Sequence, residues 1–102
     1  MTKKQNNNKK DLKLKDNQEQ FARAVSSLEM ISRSNNLQRR VRNMVNEVLG
    51  ILRDEKGDGG SIYVRAANAI SRLDGITRSH YVQSHIRTML WQVVTTLESI
   101  RE

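Results

Sequence analysis

The chain has 102 residues, no cysteine and no proline, and its 18 Lys or Arg against 11 Asp or Glu give a formal charge of +7 and a pI of about 10.3. A single domain is all this length accommodates, which excludes an enzyme with separate cofactor and substrate domains, and the missing cysteines exclude disulfides, thiolate nucleophiles and thiolate zinc sites. The start Met1-Thr2-Lys3-Lys4 leads into no apolar stretch and apolar runs stay short, so neither a signal peptide nor a membrane span is expected, and a cytoplasmic protein is.

Residues 1–20 hold six Lys but only three large apolar side chains, Met1, Leu12 and Leu14. So little apolar surface cannot offset the entropy of ordering the chain, and residues 1–15 are expected to be a disordered basic tail ahead of one folded domain, 16–102. Within residues 21–102, eleven of the twelve cations are Arg. Lysines on a floppy tail suit diffuse attraction to polyanions, whereas arginines on an ordered scaffold suit planar contacts to phosphate or carboxylate.

Shifting the sequence by 45 places sets residues 22–52 against 67–97 without a gap, with 12 of 31 positions identical, Leu28/Leu73, Gln38/Gln83, Arg42/Arg87 and Leu52/Leu97 among them. A period of this length fits a helix–turn–helix unit. The expected fold is therefore all-α: a four-helix bundle built from two tandem helical hairpins, repeat one about 16–54, a loop 55–60, and repeat two about 61–102.

The first helix is expected to open at Asp16, with Glu19 completing a capping box, and its apolar stripe is Phe21, Ala24, Val25, Leu28 and Ile31. Ser34-Asn35-Asn36 stops it and is expected to cap the second helix, whose stripe runs Leu37, Val41, Met44, Val45, Val48 and Leu52. Gly57-Asp58-Gly59-Gly60 breaks the chain and should be the most mobile internal loop. A third helix starts near Ser61, turns Ile62, Ala66, Ala69, Ile70 and Leu73 inward, and is expected to end at Asp74-Gly75, where glycine takes the left-handed cap. The fourth begins between Ser79 and Ser84 and buries Val82, Ile86, Met89, Leu90, Val93, Leu97 and Ile100. Short connections make successive helices antiparallel neighbours.

The run Val64-Arg65-Ala66-Ala67-Asn68-Ala69-Ile70-Ser71-Arg72-Leu73-Asp74, the run His85-Ile86-Arg87-Thr88-Met89-Leu90-Trp91-Gln92-Val93-Val94 and the closing Leu97-Glu98-Ser99-Ile100 resemble the archaeal uncharacterised protein family UPF 0147. The resemblance covers roughly residues 20–102 and implies a small all-helical, cytoplasmic archaeal protein without an assigned function. Members of that family often carry proline in the turn before the last helix, where Val82-Gln83 stands here, and the Lys/Asn-rich tail extends beyond the common core.

Little in the residues points to catalysis. His80 and His85 are five apart, not the four that would stack them on one helical face, so no metal site is expected. Lys56-Gly57-Asp58-Gly59-Gly60-Ser61 lacks a preceding strand and puts its Lys before the glycines, contrary to a phosphate-cradling loop. Asp54, Glu55 and Asp58 lack the spacing of a calcium loop. No cofactor, small-molecule substrate or enzymatic activity is expected.

Binding is better supported. At 100° per residue, Arg39, Arg42, Asn46 and Arg53 fall on one flank of the second helix, away from its apolar stripe. On the fourth helix the same flank holds Arg87 and Trp91, an indole on the polar side with an arginine one turn earlier. Arg39, Arg42, Arg53, Arg87 and Trp91 are thus the candidate partner-binding residues. The expected function is a non-enzymatic RNA- or ribosome-associated binding protein. The alternative is a protein–protein interaction module or homodimeric scaffold centred on Trp91 and Val94.

Overall fold

The structure is a computed structural model that describes residues 2–101, with side chains from residue 12 onward. Four helices make it up: α1 Thr2–Ser32, α2 Arg39–Arg53, α3 Ile62–Thr77 and α4 Ser84–Glu98, with no strand among the described residues. α1 packs against α2 and α4, α3 packs against the same two, and α1 touches α3 across the diagonal. Each helix thus runs antiparallel to its neighbours in an up-down-up-down bundle.

The core is aliphatic and shared by both hairpins. Ala24, Leu28 and Ile31 of α1 meet Val41, Val45, Val48, Leu49 and Leu52 of α2, Ala66, Ala69, Leu73 and Ile76 of α3, and Ile86, Leu90, Val93 and Leu97 of α4. These are the expected stripes, with Leu49 and Ile76 in addition. Leu37 and Val82 close one end of the core from the turns, and Ile100 closes the other from beyond α4. Phe21, Val25, Met44, Ile62, Ile70 and Met89 only line its edge, half-buried. Each fully buried Leu or Ile contributes about 1.5–3 kcal/mol relative to its exposed state. The alanines of α3 shorten its distance to its neighbours.

The helix ends depart from expectation in four places. Asp16 does not cap α1, because the helix already runs through it from Thr2. The expected tail, 1–15, falls largely outside the described side chains, and the part within them, residues 12–15, is helical and exposed. The N-cap of α2 is Gln38, in extended conformation and without a side-chain cap bond, rather than a residue of Ser34-Asn35-Asn36. Gly75 lies inside α3, which continues to Thr77, whose buried hydroxyl donates to the Asp74 carbonyl at 2.9 Å. Ser61 caps α3 as expected, accepting the Val64 N–H at 3.2 Å.

The loop between α2 and α3 is a stitched turn rather than a free linker. Asp54 ends α2 in the left-handed region, φ 55° and ψ 52°, and its Oδ1 accepts the Gly59 amide at 2.8 Å. Gly57 donates back to the Asp54 carbonyl at 2.9 Å. From α3, Arg65 donates to the Leu52 carbonyl at 2.8 Å and stacks over the Phe21 ring at 5.2 Å, tying this turn to α1. An open groove of about 610 Å³ between α2 and α3 runs past these groups, with Glu47, Asp54, Glu55 and Asp58 facing Lys56, Arg65 and Arg72.

Candidate functional site

The turns 33–38 and 78–83 lie side by side at one end of the bundle, where Leu37, Val41, Tyr81, Val82 and Ile86 form a small apolar contact between them. One arginine holds each turn. Arg42 donates through Nε to the Ser32 carbonyl at 2.9 Å and through an Nη to the Ser34 carbonyl at 2.7 Å. Arg87 does the same 45 residues later, to Thr77 at 2.8 Å and Ser79 at 3.0 Å, and adds Val82 at 3.2 Å. The Ser32 and Thr77 carbonyls so capped stand at the ends of α1 and α3, where the helix supplies no further amide, while the Ser34 and Ser79 carbonyls also accept the amides of Leu37 and Val82 at 3.3 Å. A rigid planar fork meets several of them at once.

These bonds place two of the sequence-selected residues inside the scaffold. Arg42 and Arg87 are half-buried, and their guanidinium groups are spent on backbone carbonyls. Arg87 therefore does not serve Trp91. The two arginines stacked on rings among the described residues are Arg40 over Tyr81 and Arg65 over Phe21. Arg53 pairs with Glu29 at 3.3 Å, and Asn46 accepts the Ser32 hydroxyl at 2.8 Å. The flank carrying Arg42, Asn46 and Arg53 is thus tied to α1 by side-chain bonds, although Asn46 and Arg53 remain exposed. Trp91, by contrast, is 55% exposed, as its position opposite the stripe implies.

Of the selected arginines, Arg39 alone stays exposed with no carboxylate partner among the described residues. Arg40 joins it. The residue sits beside Arg39 in the first turn of α2, is exposed, and reaches across to the other turn, its guanidinium carbon 5.2 Å from the Tyr81 ring centre. His80 and His85 complete the same end, His80 edge-on to Tyr81. A hydrogen bond from Ser79, aided by the Arg40 hydrogen bond and charge, holds the Tyr81 hydroxyl below its ordinary value of 10.0 against the opposing effect of desolvation. The N-termini of α2 and α4 both open here, without side-chain caps and without an acidic residue in the first turn.

The charge distribution follows from the chain. Residues 30–46 and 75–97, which include the two turns and the helices that lead from them, contain six Arg, two His and no Asp or Glu, in a chain whose whole net charge is +7. Arg33 and Arg78 are matched by Glu29 and Asp74 one turn back, at 3.5 and 3.7 Å. The helical wheel places Arg40 only near the edge of the basic face and does not select it, and Tyr81 is missed altogether. The absence of any carboxylate across both segments was the signal that could have found them.

No helix among the described residues is long and apolar enough to cross a membrane, and these residues contain no group of three His, Asp or Glu that could hold a metal ion. A search of curated proteins finds no match. Among solved structures, a crystal structure described as that of an unknown function protein, MMP1188, superposes with a TM-score of 0.73 at 29% identity, covering 81% of this chain and 91% of that one. The model of the Uncharacterised protein family (UPF0147) matches residues 8–100. With that match over nearly the whole bundle, the chain belongs to the UPF0147 family.

Proposed function

We propose that this protein is a non-enzymatic RNA-binding protein of the archaeal cytoplasm, where ribosomal RNA is the abundant structured ligand, and that it grips the phosphate backbone with the turn end of its bundle. The observation that carries this reading is the pair of carboxylate-free segments, 30–46 and 75–97, from which Arg39 and Arg40 project without competing acids. Uncapped first-turn amides of α2 and α4 add partial positive charge at the same end. A backbone polyanion is the ligand such a surface attracts.

The shape favours RNA over the major groove of DNA. A recognition helix needs one long free face, and the basic flank of α2 is occupied by α1 through Arg42, Asn46 and Arg53. What remains is a blunt end of two turns and two helix starts, suited to contacts with phosphates and 2′-hydroxyls. The test is fluorescence anisotropy of a labelled double-stranded RNA with the full chain, titrated with salt. Affinity is expected to fall steeply between about 50 and 200 mM salt, and Arg39→Glu with Arg40→Glu should reduce the log–log slope by roughly two. Binding that ignores salt, or that is untouched by the double reversal, refutes the reading.

A further inference from the structure

A second surface has no part in that reading. Trp91 shares its side of α4 with Arg87 and Glu98, since four and seven residues return a helix to nearly the same direction. Arg87 reaches the end of α3, and Glu98 lines a shallow groove of about 180 Å³ with Tyr63, Ala67 and Ile70 of α3. Trp91 therefore stands over the seam between α3 and α4, beside half-buried Val94.

The equivalent seam of the first hairpin is closed. There Asn46 accepts the Ser32 hydroxyl and Arg53 pairs with Glu29. Forty-five residues on, Trp91 replaces Asn46 opposite Thr77, and Glu98 replaces Arg53 opposite Asp74. Neither pairing recurs: the indole is left in solvent, Asp74 has only an exposed 3.7 Å contact to Arg78, and Glu98 has no salt-bridge partner among the described residues. By the 45-residue correspondence the second seam therefore carries an indole and one carboxylate on each of its two helices.

One segment of the chain has the opposite pattern. Leu14 continues the inward stripe of α1, one turn before Asn17, but lies beyond the other helices, because Asn17 already meets Arg101 at the end of the bundle. Leu14 is 61% exposed, and Lys13 and Lys15 stand about 100° to either side of it. An apolar residue between two cations matches an apolar seam between two carboxylates. Because α1 is a continuous helix directed away from its own α3–α4 seam, that match is made between molecules.

We propose that the α3–α4 seam around Trp91 is the docking site for residues 12–15 of α1 of a second copy of this chain, giving a dimer by reciprocal exchange of the α1 arms. Trp91 is the sole tryptophan and reports directly on the contact. Sedimentation equilibrium of the full chain, with tryptophan emission followed across the same concentrations, is the experiment. A dimer whose formation blue-shifts the emission is expected. Trp91→Ala should raise the dissociation constant at least tenfold while leaving the circular dichroism and melting curve of the dilute monomer unchanged, since its side chain is exposed there. Lys13→Glu with Lys15→Glu should do likewise, and adding Asp74→Lys with Glu98→Lys to that variant should restore the dimer. A monomer with unshifted emission at every concentration overturns the proposal. So does a dimer indifferent to Trp91→Ala or to the charge reversals. RNA binding by Arg39 and Arg40 is read separately and is unaffected by either result.

Discussion

Replacing Arg87 by Met distinguishes a scaffold role from a binding role at that position. Methionine keeps much of the aliphatic volume but removes three donors that reach carbonyls at 2.8, 3.0 and 3.2 Å. A hydrogen bond from a charged donor is worth about 1.5–3 kcal/mol when its partner is shut off from water. Thr77 is buried, whereas Ser79 lies nearer the surface, so water recovers part of the loss there. A net destabilisation of about 2–4 kcal/mol follows. For a domain of this size that lowers Tm by roughly 10–25 °C. Arg42→Met, with two bonds instead of three, should cost somewhat less, and Arg87→Lys should recover only a fraction, because an ammonium group cannot fork between three carbonyls. Urea denaturation followed by circular dichroism measures these losses, and anisotropy with labelled RNA below the transition measures binding by the folded variant. A loss below about 0.5 kcal/mol, the range of an ordinary surface change, together with abolished RNA binding, would refute the clamp and return Arg87 to the ligand surface.

At the opposite end, Asp54→Ala should cost about 2 kcal/mol, combining the strain of a left-handed alanine with loss of the bond to Gly59. Asp54→Gly should be near neutral, since relief of that strain offsets the missing carboxylate; equal losses for both variants would discard the argument. Gly59→Ala should cost about 1–3 kcal/mol, as its Cβ would meet Asp54 Oδ1 at 2.7 Å and Arg65 Cγ at 3.1 Å. In a Tyr63→Phe background, absorbance titration should find Tyr81 ionising below 10.0, and Ser79→Ala and Arg40→Ala should each raise that midpoint. A lowered value in the folded state means that ionised Tyr81 favours folding fully above the unfolded value of 10.0, and this contribution is lost as pH falls through the folded one, leaving none at neutral pH. An unmoved midpoint in both variants would remove Ser79 and Arg40 as its cause.

The core was legible in the sequence because it is periodic. Val41, Val45, Val48 and Leu52, or Ile86, Leu90, Val93 and Leu97, repeat at the helical spacing, and the structure buries all of them. Helix ends were harder, because a cap is chosen by competition. Asp16 can cap a helix, but a segment able to continue the helix upstream leaves it in the interior. Gly75 can take a left-handed turn, but Ile76 and Thr77 are buried only if α3 goes on past it. The candidate site failed differently. A wheel drawn for α2 alone puts Arg42 and Arg53 opposite the apolar stripe, yet α1 approaches that flank and supplies the Ser32 carbonyl and Glu29. Which flank a neighbour covers depends on packing between helices, and no single-helix pattern contains it. For Arg42 and Arg87 their identity across 45 residues was the available hint, since both sit just after a turn that each hairpin must close.

The two hairpins share their cores and clamps and differ on their outer flanks, and the differences sort the surface into separate tasks. Both hairpins need an arginine to close a turn, so Arg42 and Arg87 match. Only the first has its flank closed, by Asn46 with Ser32 and Arg53 with Glu29, and that closure pairs one cation, Arg53, with a carboxylate. At the turn end, Arg39 and Arg40 carry positive charge that no acid from residues 30–46 or 75–97 neutralises. On the second hairpin the exposed indole of Trp91 stands well along α4 from its first turn. A polyanion held at the turns and a second copy held at the α3–α4 seam would therefore use different residues and be separable by substitution. Reversal of Arg39 and Arg40 acts on the first, and loss of the indole acts on the second.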